Sequence, residues 1–246
     1  MSNGQILDTP LITDRPDQAE SAETILLSYF QIETGFLYNK NNTSVLGVNN
    51  EIKSYDIAST LVRIGLSSRV ELRIESGYLS EEILTLNKKE TISGFRSLNI
   101  GTKIRLVNNP NSAPNISAII NFKLPVGKNS FKPQNIEPEV IFIFAKDLSH
   151  IFTLSVNVGS EWKNTENILG YFFSLALGIS LTDKIGTYIE YFGNASTNVS
   201  LINKFDTGFT YLIKNNIQYD VSGGLDINTG TSDWFISTGL SFRLPN

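Results

Sequence analysis

From Tyr29 onward the apolar residues recur at every second position, and nowhere do they hold a helical period over three turns. In the first such segment Phe30, Ile32, Phe36 and Tyr38 share one face, against Gln31, Glu33 and Gly35. The alternation is strictest next: Thr60, Val62, Ile64 and Leu66 oppose Ser59, Arg63 and Gly65, and Val70, Leu72, Ile74 and Tyr78 oppose Glu71, Arg73, Glu75 and Gly77. The pattern returns over Leu98 to Leu106, Ile116 to Leu124, Phe152 to Val158, Tyr171 to Ile179, Ile185 to Tyr191, Phe205 to Ile213, Ile217 to Leu225 and Trp234 to Phe242. Residues 139–145 are apolar on both faces, so alternation leaves their register open. Twelve strands are predicted, with no helix between them.

The connections fall into two classes. Ser67 to Arg69, Asp147 to Ser149, Thr182 to Lys184 and Lys214 to Asn216 are brief turns, with Asn108 to Asn115 the one longer member of that set. The alternate joints are long and polar: Lys40 to Lys53, Leu79 to Gly94, Gly127 to Glu137, Trp162 to Ile168, Gly193 to Ile202 and Asn228 to Asp233. Short turns at one rim and long loops at the other are the arrangement of a bacterial outer-membrane barrel, whereas a soluble sandwich has no such alternation.

Periodicity is the same for soluble and membrane barrels, so the inward face is read from residue type. The polar face is crowded with Gly, Ser and Asn, which suits a wet, sterically limited lumen. Tyr38, Tyr78, Trp162, Tyr171, Tyr191, Tyr211 and Trp234 collect near the ends of the apolar face, where an interfacial girdle sits. The expected fold class is therefore all-β: a single antiparallel up-and-down transmembrane β-barrel of about 12 strands over residues 29–246. Residues 1–28, polar and aperiodic with Pro10 and Pro16, form a non-strand segment that either plugs the lumen or hangs free in the periplasm. A soluble lipocalin-like binding barrel is the alternative with the apolar face turned inward.

Composition agrees with lipid exposure. Charged residues make up 18% of the 246, against about 25% in soluble globular domains. The absence of cysteine removes thiol nucleophiles, disulfides and Cys-ligated metals. One histidine leaves little for other transition metals, and a net charge of -4 gives no excess to neutralise phosphates, so nucleic acid is not an expected partner. Mean hydropathy is -0.05, which a transmembrane β-barrel reaches because lipid-facing and lumen-facing residues alternate. No apolar run approaches the length of about 20 residues that a spanning helix needs. Met1 to Asp8 has neither a basic start nor an apolar stretch; an outer-membrane location thus presumes a signal peptide already removed.

The last strand, Ser237 to Leu244, resembles the β-signal of outer-membrane proteins, with Gly239, Phe242 and Leu244 at its marked positions and Pro245-Asn246 following. In the family at large the barrel-assembly machinery reads this signal, so that machinery and outer-membrane lipid are expected partners. A narrower resemblance runs along the chain. Leu11 to Asp17 with Glu20-Ser21, Tyr29 to Phe36, Thr60 to Leu66 with Val70 to Arg73, Asn99 to Lys103, Leu124 to Gly127 and Tyr188 to Gly193 are similar to outer-membrane transporters grouped with the meta-pathway of phenol degradation. The length and opening resemble members from the Bacteroidetes group. The resemblance implies passage of small, aromatic or hydrophobic solutes across the outer membrane, with no enzymatic activity and no cofactor.

On the polar face, Arg63, Arg73, Lys103, Arg105 and Lys123 come from the second to fifth strands and Arg243 from the last. Glu161, Glu190, Asp206, Asp220 and Asp226 come from the seventh to eleventh, while Glu71 and Glu75 lie among the basic set. These lumen-lining charges form two opposed arcs, either a transverse field that selects solutes or pairs that close a narrow bore. In the N-terminal segment Arg15, flanked by Asp14 and Asp17, is expected to lock to lumen carboxylates such as Glu71 or Glu75 if the segment is a plug. Other chemistry is weak: His150 beside Ser149 falls in a turn, and Asp226 to Gly230 resembles the start of a calcium loop without its distal Glu. A closed structural or adhesive barrel is the remaining alternative to a passive-diffusion channel.

Overall fold

The computed structural model describes residues 10–45, 48–86, 88–108, 114–163, 168–197, 199–227 and 233–245. The strands are β1 (Tyr29–Val45), β2 (Val48–Gly65), β3 (Val70–Thr85), β4 (Lys88–Phe95), β5 (Asn99–Val107), β6 (Asn115–Lys123) and β7 (Glu137–Asp147). They continue with β8 (Phe152–Lys163), β9 (Ile168–Ser180), β10 (Ile185–Ser196), β11 (Val199–Lys214), β12 (Ile217–Asp226) and β13 (Trp234–Pro245). Neighbours pair antiparallel, and β13 closes on β1 from Tyr29 opposite Pro245 to Lys40 opposite Trp234. No helix long and apolar enough to cross a membrane occurs among the described residues.

Twelve strands make the closed wall and β4 is an extra one. β3 divides its partners: Val70 to Glu75 pair with β5, and Tyr78 to Thr85 pair with β4. The stretch Leu79 to Gly94, expected as a polar loop, is thus the far half of β3 plus β4. Of the expected loop Lys40 to Lys53, Lys40 to Val45 and Val48 to Lys53 are likewise strand, since β1 and β2 pair out to Val45 opposite Val48. A strand needs about 9–11 residues to span a bilayer, and β1, β2 and β3 have 17, 18 and 16. Beyond the lipid both faces meet water, so the period-two pattern fades while the backbone ladder continues.

The wall is inverted relative to a soluble barrel, whose interior is apolar. Arg63, Glu71 and Lys103 are 0% exposed, whereas Phe142 and Phe209 are 45% and 54% exposed. Charges point into the bore and apolar residues form the outer belt, an arrangement stable only where the outside is lipid. This excludes the lipocalin-like alternative. Aromatic side chains meet on that outer surface, with ring centroids of Tyr38 5.2 Å from those of both Tyr55 and Trp234, and Phe173 5.5 Å from Tyr191.

The register of β7 is settled from inside. Val140, Phe142 and Phe144 are exposed on the belt, while Ile141 and Ile143 point into the bore and pack with Ile119 of β6 against Ala22. The strand is apolar on both faces because the N-terminal segment covers its inner one.

Candidate functional site: the bore and its N-terminal segment

Residues 10–28 contain no strand and lie within the bore, bonded to side chains around most of its circumference. The segment runs as a loop whose two ends are near the short-turn rim. On one arm, Ile12 O accepts from Gln31 Nε2 at 2.9 Å and Thr13 Oγ1 from Gln218 Nε2 at 2.8 Å. At the tip, Gln18 N donates to Glu190 Oε2 at 2.8 Å. On the returning arm, Ala22 O accepts from Ser117 Oγ at 2.6 Å, Thr24 Oγ1 from Arg105 Nη2 at 2.8 Å, and Ile25 N donates to Glu71 Oε2 at 2.7 Å. Gly65 makes room where the chain leaves the bore: a Cβ there would collide with the Leu26 carbonyl.

The strongest electrostatic contacts gather on Asp14. Its Oδ2 lies 2.5 Å from Arg73 Nη1, 2.8 Å from Lys103 Nζ and 3.1 Å from Arg63 Nη1. Its Oδ1 accepts from Ser21 N and Oγ, which ties the two arms of the segment together. Arg63 also pairs with Glu33 and Glu71 at 3.1 and 2.9 Å, and Arg73 holds Glu20 through Nη2 at 2.8 and 2.9 Å. Nearly all of these side chains are out of solvent, where a charge stripped of water is tolerated only with partners. The segment's carboxylates Asp14, Glu20 and Glu23 therefore answer the basic wall of β2, β3 and β5, Arg105 meeting Glu23 at 3.1 Å.

The segment's cation answers the neighbouring wall of β1, β13 and β12. Arg15 Nη2 lies 3.1 Å from Asp220 Oδ1 and donates to Ser237 Oγ at 3.0 Å. The guanidinium lies over Gly35 of β1 and Gly239 of β13, which are paired across the strands and leave no space for a Cβ beneath it. The expected Arg15 contact with Glu71 or Glu75 is thus corrected: Glu71 is taken by Arg63 and Arg73, and Glu75 accepts from Asn99 Nδ2 at 3.2 Å. A cation placed beside three others would be repelled, so Arg15 turns away from them onto β13 and β12. Asp17, at the loop tip, is half-buried.

The remaining singled-out side chains are spread along the bore. Glu190 and Asp206 are directly opposed on β10 and β11, both buried, with Tyr188 Oη donating to Asp206 at 3.0 Å. Lys123 lies 4.0 Å from Glu137, Glu161 pairs with Lys163 at 3.0 Å, and Asp226 with Lys204 at 2.9 Å. Arg243 is buried near the short-turn rim, where its backbone bonds to Asn216. Phe242 and Leu244 face outward on β13, alternating with the inward Gly239. Beyond the aromatic cluster of Tyr38, Tyr55 and Trp234, Lys40 and Lys53 both donate to Glu51 and hold its carboxyl below the usual range. His150 is exposed in a turn whose Ser149 Oγ accepts from the Ile151 and Phe152 amides, which gives the serine a turn-forming role. Of the loop resembling a calcium site, residues 228–230 lie outside the described residues, as do residues 1–9 of the segment.

Sequence reasoning missed Glu20 and Glu23 as bore residues, and placed Glu33 on the polar face without assigning it a partner. A usable signal was present in the charge of residues 14–23, four carboxylates against one arginine, beside Arg63, Arg73, Lys103 and Arg105 on the polar face of β2, β3 and β5. It also missed Phe172 and Phe192, apolar residues on otherwise polar faces. Both line a cavity of about 420 Å³ on the long-hairpin side of the segment, with Gln18 and Glu20 at its base.

Comparison with solved structures places this architecture among outer-membrane barrels. The COG4313 outer membrane channel from Pseudomonas putida F1 superposes with a TM-score of 0.67 at 10% identity, over 91% of this chain and 98% of that one. The NanC porin follows with a TM-score of 0.54 at 7% identity, covering 87% and 100%. The translocator domain of the autotransporter NalP from Neisseria meningitidis gives 0.58 at 8% identity, covering 87% and 88%. At such identities the likeness is one of fold. Comparison of the sequence with curated proteins finds no match. The model of the family described as "Putative MetA-pathway of phenol degradation" matches residues 13–244, from the inserted segment through the last strand, and the chain belongs to that family.

Proposed function

We propose that the protein is a bacterial outer-membrane channel for small solutes, held closed in this conformation by its N-terminal segment. The observation that carries this reading is the segment itself: it fills the bore at the short-turn end while an open cavity remains at the other. By the usual asymmetry of outer-membrane barrels the short turns are periplasmic and the long hairpins external. Solutes would enter the cavity from outside and meet Gln18 and Glu20 as its floor. The exposed apolar belt and the family membership support the location.

Withdrawal of the segment would uncover Arg63, Arg73, Lys103 and Arg105 on one wall and Glu190, Asp206 and Asp220 on the other. These side chains would then act as the selectivity residues of a transverse field, the way rings of charge select in pores. The family points to aromatic or hydrophobic solutes moving by passive diffusion, with assembly directed by the last strand around Gly239, Phe242 and Leu244.

The density of ion pairs around Asp14 favours a second reading, a permanently closed barrel with a structural or adhesive role. Solute flux into liposomes containing the purified protein separates the two. Flux of small neutral and charged solutes supports the channel, while its absence both from the full chain and from a variant lacking the segment would leave the structural barrel.

A further inference from the structure

The external cavity is built differently from the surroundings of Asp14. Around Asp14 each basic side chain has a carboxylate partner, and the same holds for the cations that reach the cavity wall. Arg73 is held by Glu20, Arg96 by Asp56, and Lys123 lies near Glu137. The carboxylates are in excess. Glu75 and Glu139 both line the cavity, and each accepts only an amide: Asn99 Nδ2 at 3.2 Å for Glu75 and Asn121 Nδ2 at 2.9 Å for Glu139. Neither has a cationic partner among the described residues.

Two further features point to a ligand. The first is the pair of phenyl rings: Phe172 and Phe192 stand on inward positions of β9 and β10, where the one other aromatic, Tyr188, is satisfied by Asp206, and Phe172 packs on one side against the cluster of Ala22, Ile119, Ile141 and Ile143. Phe172 lies across Gly159 of the neighbouring strand, where any Cβ would overlap the ring, so the backbone makes room for this side chain. The second is Ser174, also in the wall: it is 4% exposed and its Oγ has no hydrogen-bond partner. A buried hydroxyl left unmatched costs free energy unless something in the cavity meets it.

We infer that this cavity is a binding site for a small organic cation with an aromatic body, an arylalkylammonium being the simplest case. The ammonium would sit between Glu75 and Glu139, where it gains charge-assisted hydrogen bonds, and its ring would stack on Phe172 and Phe192. The volume of about 420 Å³ falls in the range of small-molecule pockets. An arylcarboxylate of the same size would place its charge among unpaired carboxylates and be rejected. The inference narrows the solute class of the channel reading and takes from it the access to the cavity.

The test is calorimetric titration of the full chain in detergent with phenethylammonium, phenethyl alcohol and phenylacetate at neutral pH. The ammonium is expected to bind saturably, about tenfold more tightly than the alcohol, with no binding of the carboxylate. Replacing both Glu75→Gln and Glu139→Gln should abolish that preference while leaving the alcohol's affinity unchanged. Phe172→Leu should weaken both ligands together. Heat-modifiable gel migration reports that each variant is folded. Equal affinity for ammonium and alcohol on the unaltered chain, or a preference surviving the double substitution, would overturn the site. If the protein passes solutes without preferring the ammonium, the site fails and the channel stands. Tight ammonium binding with no flux from any variant gives the reverse.

Discussion

The two halves of the bore solve opposite problems with the same kinds of residue. In the short-turn half the cations around the segment are matched: Asp14 meets Arg63, Arg73 and Lys103, and Arg15 meets Asp220, while Glu190 and Asp206 accept from Gln18 N and Tyr188 Oη. In the long-hairpin half a cavity remains, lined by Glu75 and Glu139, which have no cationic partner among the described residues, and by Phe172 and Phe192, the former resting on one side against the cluster of Ala22, Ile119, Ile141 and Ile143. Charge pairing in the first half holds the segment against the wall, while the carboxylates beside the open cavity in the second keep capacity for a ligand. Lumen charge by itself therefore says little about selectivity; what matters is whether the protein already supplies the partner.

The comparison breaks most visibly at Asp14. Asp14→Ala removes the carboxylate that Arg63, Arg73 and Lys103 share and leaves Lys103 with Glu20 at 3.6 Å as its carboxylate partner, and loss of one member of a buried ion pair costs about 3–5 kcal/mol. The segment is then expected to leave the bore for much of the time. Planar-bilayer recordings should show a several-fold rise in conductance with a shift toward anion selectivity, because Arg63, Arg73 and Lys103 become available to the permeating ion. Unchanged conductance would mean that the apolar seat of Ala22 on Ile119, Ile141 and Ile143 holds the segment alone.

A smaller effect is expected at Gly239, where two explanations compete. The residue belongs to the predicted assembly signal, yet it also leaves space for the Arg15 guanidinium. Gly239→Ala should displace Arg15 from Asp220 and produce brief openings of the full chain. The effect is smaller than at Asp14 because Arg15 engages one carboxylate and retains 19% side-chain exposure, so solvent screens the pair. Assembly of a segment-deleted barrel carrying the same substitution, followed by heat-modifiable migration, distinguishes the roles: normal assembly assigns the glycine to the segment.

The outer surface was readable from sequence and the interior only in part. A two-residue period with apolar residues on one face is imposed by lipid, so β2, β3, β5 and β6 stand close to where alternation puts them. The constraint ends where the lipid does, which is why the far half of β3 and all of β4 looked like loop. Inside the bore no medium enforces a pattern. Arg63, Arg73, Lys103, Glu190 and Asp220 could be placed on the inner face by parity, but their partners depend on how an aperiodic segment folds back among them. Arg15 illustrates the limit: its sign predicted a carboxylate partner, and only the crowd of cations beside Glu71 decides that the partner is Asp220. The same segment explains the double-faced apolar pattern of β7, which from the strand alone had no reading.

The central claim is that residues in the N-terminal segment close the bore, and the most direct test is the conductance of a variant lacking residues 2–21 against the full chain in the same planar bilayers. The segment-deleted barrel is expected to conduct several-fold more, with stable openings where the full chain is closed. Equal conductance of the two, with both migrating as folded barrels, would contradict the account.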